Sequence, residues 1–133
     1  MSNPMIQVGD AVREMTADEH AQYLIDTSPP ALVDVQADAV TKIKADAEAR
    51  ILAIMPEFKQ RNTLALAAEA ITTHGPDPTL WPQDLQDANT VATAAWTAIK
   101  AIRAHSDALE IQIAAAGTPA DVDTILANPG WPA

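Results

Sequence analysis

The sequence predicts an all-α protein: a long antiparallel, coiled-coil-like helical hairpin with short flanking helices and a small N-terminal β-hairpin. Three observations predict it. Apolar residues recur three and four apart over two long stretches, 33–71 and 85–116, as they do in helices that bury one face. A proline-rich segment, 75–82, separates the stretches and lets the chain reverse. Apolar residues make up 48% of the chain but aromatics only 4%, so the buried material is thin and suits close helix pairing better than a thick core.

The elements follow in chain order. Residues Ile6 to Val12 alternate apolar and polar around Gly9-Asp10, a hairpin pattern that needs a docking surface because a lone two-stranded ribbon is marginal in water. Thr16-Ala17-Asp18-Glu19 matches a capping box and should start a short helix from Ala17 to about Asp26. Ser28-Pro29-Pro30 then stops that helix and starts the next, with Ser28 as N-cap. Val33, Val40, Ile43, Ala47 and Ile54 form its apolar stripe, widened by Leu32, Val35, Ala39, Ile51 and Phe58. Pro56 should kink or break this helix near Ile54 and Met55, because its ring clashes with the carbonyl four residues back. Phe58, Leu64, Ala68 and Ile71 continue helically, and Gly75 should close the run in the left-handed conformation.

The second long helix carries the clearest pattern. Leu85, Ala88, Ala92, Ala95, Ile99, Ile102, Ser106, Leu109, Ile113 and Ala116 form its seam, broken only by Ser106. The alanines allow close approach of a neighbour, while Val91, Trp96 and Ile111 lie off the seam and point to a second contact surface. Gly117 ends the helix, and Thr118-Pro119 with Asp121 starts a last short one to about Ala127. An extended tail follows, with Trp131 as its only large apolar group. The organisation is a docking segment with a short helix (1–28), a helical hairpin (29–117), and a short helix and tail (118–133).

Composition bounds the chemistry. Lys and Arg total 8 against 18 Asp and Glu, a formal charge of −10 that repels phosphate backbones and anionic lipid, so neither nucleic acid nor a membrane is an expected partner. No cysteine is present, which removes disulfides, thiolate metal sites and thiol nucleophiles. No basic segment precedes an apolar run near the start, and no apolar stretch reaches the length of a span, so synthesis in the cytoplasm is expected. The three histidines, His20, His74 and His105, pair with no second ligand or nucleophile at a metal-site or catalytic spacing. The acids Asp34, Asp38, Asp46 and Glu48 alternate with Lys42, Lys44 and Arg50 as four-apart surface pairs. The expectation is no catalytic residue, no cofactor and no metal.

Two features read as partner-binding. Phe58-Lys59-Gln60-Arg61-Asn62 gathers long polar groups round one aromatic immediately after Pro56, either a contact epitope or an aromatic packed on the second helix with solvated neighbours. Trp131, on its tail, is the tryptophan expected to dock elsewhere, whereas Trp96 reads as core and Trp81 as cover for the hairpin loop.

The block Ala47 to Asn62, with Ile54-Met55-Pro56-Glu57-Phe58-Lys59-Gln60-Arg61-Asn62 at its end, resembles small tailed-bacteriophage proteins encoded near tail-fibre genes. Trp96, Ile99, Ile102-Arg103, Ser106-Asp107, Leu109-Glu110 and Val12-Arg13-Glu14-Met15-Thr16 share in the likeness. The resemblance spans most of residues 12–113 and implies a non-enzymatic structural component of the tail, tail fibre or baseplate, made in the host cytoplasm and carried in the virion. The alternative it implies is a tail-fibre assembly chaperone absent from the mature virion. Partners on this reading are other tail or fibre proteins and the chain itself; a homotrimer follows from the fibre setting, because alanine and isoleucine sharing the seam do not decide strand number.

Overall fold

The structure is a computed structural model that describes residues 2–133. The chain forms two compact units, Met1–Ala31 and Leu32–Ala133.

The first unit is a β-hairpin followed by a helix. Strands β1 (Met5–Val8) and β2 (Ala11–Glu14) pair antiparallel, with Val8 opposite Ala11 and Met5 opposite Glu14. Gly9 has φ +62° while Asp10 keeps a negative φ, the pattern of a II′ turn, which wants glycine at its first central position. Helix α1 (Ala17–Thr27) starts at the expected capping box: Glu19 N–H donates to the Thr16 hydroxyl, and Thr16 N–H donates to the Glu19 carboxylate. Arg13 adds a fork from β2, donating to both Glu19 oxygens at 2.7 and 2.8 Å. No described residue of this unit is buried.

The second unit is the helical hairpin. One arm is α2 (Leu32–Ile54) followed by α3 (Glu57–His74); the other is α4 (Gln83–Ala115); α5 (Pro119–Ala127) closes one end. Ser28 does not start α2. It ends α1 instead, its hydroxyl and amide both donating to the Ile25 carbonyl, and the two prolines behind it keep Pro29 to Ala31 out of helix until Leu32. Pro56 breaks the arm rather than kinking it, and becomes the N-cap of α3. Gly75 caps α3 at φ 87° and ψ 174°. Its φ is positive as expected, but ψ is extended rather than left-handed helical, a combination open essentially to glycine alone. A short 3-10 turn, Pro78–Leu80, completes the reversal, and Trp81 is buried over it with its indole N–H donating to the Gly75 carbonyl at 2.9 Å.

The core lies where α2, α4 and α5 meet. Ala39, Ile43, Leu109, Ile113 and Val122 form a buried cluster, ringed by Leu32, Val35, Val40, Ala116, Ile125, Leu126 and Trp131. Gln36 donates its side-chain amide to the carbonyls of Ile113 and Ala116, tying α2 to the end of α4, where the Ile113 carbonyl also accepts from the Ala116 amide. Lys44 on α2 faces Glu110 on α4 at 3.6 Å. The α4 seam is buried at Ile99, Ile102, Ser106, Leu109 and Ile113. Val33 and Ile54, placed in the α2 stripe by spacing, are instead exposed at 68% and 38%; the buried line of α2 runs through Ala39, Ile43 and Ala47, and on a helix Val33 turns away from that line.

Candidate interaction groove

Past Pro56 the hairpin changes character. Only Ala70 of α3 is buried, while Phe58, Leu64, Leu66 and Ile71 are all exposed. The sequence reads α3 as a continuation of the core stripe, and the alanines of α4 as a place of close approach. The structure corrects both: α4 packs closely along α2 but only sparsely along α3. Beyond the break at Pro56, the small side chains of Ala88, Ala92 and Ala95 line an opening shared with α3 residues instead of a tight seam.

Thr63, Leu66, Ala88 and Ala92 line both flanks of that opening. The first flank is a cleft of about 250 Å³ walled by Leu64, Ala67, Trp81, Leu85 and Trp96, with Asn89 and Thr93 as its polar groups. The second, wider and shallower, is bounded by Ile54, Met55, Val91 and Ala95, with Lys59, Asn62 and Asp87 at its edge. Mostly apolar walls with a few amides and hydroxyls suit an apolar side chain or an amphipathic helix. Among the described residues, no three His, Asp or Glu side chains converge as a metal site would require.

The five-residue epitope divides at this groove. Lys59 and Asn62 sit on its rim. Phe58 is 61% exposed and does not pack on the second helix. Arg61 pairs with Glu57 one turn earlier on α3. Gln60 serves the backbone: its side-chain amide donates to the Met55 carbonyl at 2.8 Å, holding the end of α2 to the start of α3 across the proline. Trp81, Leu85, Leu66 and Asn89 were missed as groove residues, because the periodicity that exposes a helix face says nothing of a neighbour that fails to close on it.

Trp131 is not on a free tail. Its ring packs at the edge of the core, beneath the Arg50 guanidinium at 5.1 Å from the ring centroid and tilted 57° against His105 at 5.3 Å. His105 Nε2 bonds the Pro129 carbonyl at 2.5 Å, which folds the tail back on α4. The Trp131 indole N–H is buried with no partner. Trp96, read as core, is only half-buried, forming the groove wall.

Comparison with protein-family models, with curated proteins and with solved structures finds no match to this chain.

Proposed function

We propose that this chain is a non-enzymatic structural component of a bacteriophage tail, tail fibre or baseplate, working in the virion through helix-mediated protein–protein assembly, with itself as a trimer and with other tail or fibre proteins. One observation carries the assembly reading: large apolar side chains stand exposed, among them Leu24 and Ile25 on α1 and Phe58, Leu64, Leu66 and Ile71 on α3, and α3 and α4 leave an open apolar groove between them. Such surface is normally covered by a partner. The tail setting rests on the resemblance of residues 47–62 and 96–110 to proteins encoded near tail-fibre genes. A net charge of −10 disfavours nucleic acid and anionic lipid as the covering partner, and among the described residues no helix is long and apolar enough to cross a membrane.

Mass spectrometry of finished particles, together with light scattering of the purified chain, tests the reading. Stoichiometric presence in particles and a stable trimer are the expected results. Absence from particles, with tight binding to a fibre protein before assembly, would replace it with the chaperone reading, which the shallow, open groove favours because it holds a segment without enclosing it. Absence from both would overturn it.

A further inference from the structure

The first unit presents a helix without a groove, and the second a groove without a helix. On α1, Ala17, Ala21, Leu24 and Ile25 follow the i, i+4, i+7, i+8 spacing of a single apolar face, and all four are exposed. Glu19, Gln22 and Asp26 take the opposite face. Between α3 and α4 lies the apolar groove centred on Leu66, Ala88 and Ala92 and walled by Trp81 and Trp96. A helix with one apolar face lying in an apolar groove is a recurrent mode of recognition.

We propose that the apolar face of α1 docks into the α3–α4 groove of a second copy of this chain, so that copies associate by exchanging N-terminal arms. This deepens the assembly reading above and rests on it. The length of the connection selects a second copy. From Thr27 to Leu32 the chain spans at most ~18 Å even if fully extended. The start of α2 lies beside the far end of α4, where Gln36 bonds the Ile113 carbonyl. From Ile113 to Ala92 along α4 is ~32 Å, at the helical rise per residue. Leu24 and Ile25, one turn from the linker, therefore fall ~10 Å or more short of the groove on their own chain. In a neighbour no such limit holds. Reciprocal exchange closes a dimer and cyclic exchange a trimer; the same helix–groove contact serves either.

The chain has no cysteine, so single-cysteine variants of the full chain report the contact directly. Leu24→Cys and Ala88→Cys are made separately, mixed and oxidised, with Val33→Cys, exposed and outside the groove, replacing Ala88→Cys as control. A disulfide-linked pair is expected from the first mixture well above the control. In parallel, the double variant Leu24→Asp/Ile25→Asp, at two exposed positions, should keep its helical circular dichroism and weaken self-association about tenfold or more by light scattering. Equal cross-linking to Val33→Cys, undiminished association of the double variant, or a parent chain that stays monomeric at every concentration would overturn the arm exchange. Presence in finished particles is measured independently, so the contact can fail while the assembly reading stands, and the reverse.

Discussion

Glu19 does two jobs with one carboxylate. It accepts from the Thr16 amide at the start of α1 and receives the two-pronged Arg13 guanidinium from β2, so it joins the hairpin to its helix. Arg13 first, then the Thr16 amide, hold its carboxyl down at about 2 from an ordinary 4.5. Because the folded value is depressed, this contribution is fully present above about pH 4.5 and is lost as pH falls toward 2. An NMR titration should find the Glu19 midpoint near 2, and Arg13→Ala should raise it toward the ordinary value. A midpoint near 4.5 in the parent chain would mean that the fork does not form in solution. Trp131 offers the opposite case, a favourable ring carrying an unfavourable atom. Its stacking on His105 and Arg50 contributes about 0.5–1 kcal/mol at a part-exposed site, whereas burying an N–H without a partner costs about 1–3 kcal/mol. Trp131→Phe keeps an aromatic ring and removes the orphan donor, so its Tm should equal or exceed that of the parent, while Trp131→Ala should lower it. A Trp131→Phe chain as unstable as Trp131→Ala would show that the indole N–H has found a partner.

At the scale of elements, the two faces of α2 predict different responses. Ile113 on α4 is fully buried against Ala39 and Ile43, and Ile113→Ala should cost about 2–5 kcal/mol in urea unfolding. Val33→Ala should stay within about 0.5 kcal/mol, as expected at an exposed site. Equal losses would return Val33 to the core stripe and undo the register. What the sequence made legible follows the same division. The capping box at Thr16, the Gly9 turn, the lower α4 seam and the Thr118-Pro119 start of α5 were readable because each depends on contacts within a few residues or on an unbroken period. The exposure of α3 was not readable, since Phe58, Leu64 and Ile71 have the same spacing whether or not a neighbour closes on them. The role of Gln60 was hidden for a related reason: its partner, the Met55 carbonyl, is left without an intrahelical donor only because Pro56 breaks the helix. Trp131 misled because Asn128-Pro129-Gly130 signals a loop, and nothing local says that His105, far back in the chain, anchors the Pro129 carbonyl.

The whole molecule combines two units of unequal burial. Leu32–Ala133 holds every buried residue among those described, whereas the unit ending at Ala31 holds none. A lone two-stranded ribbon is marginal in water, and so is an isolated helix as short as α1. Capping and the Arg13–Glu19 fork define the conformation of the first unit but bury almost no apolar surface. Amide hydrogen exchange should therefore find α1 opening at a far smaller free energy than the Ile99–Ile113 segment of α4, which should exchange only near global unfolding. Arm exchange adds a second condition. If α1 lies in a neighbour's groove, its protection must rise with protein concentration, because occupancy follows mass action, and the amides flanking Ala88 and Ala92 should change over the same range. The buried stretch around Ile113 should be indifferent to concentration. Protection of α1 that is already high in dilute solution and flat on concentration would place its apolar face against something within one chain; protection that stays low at every concentration would leave the groove for a different protein.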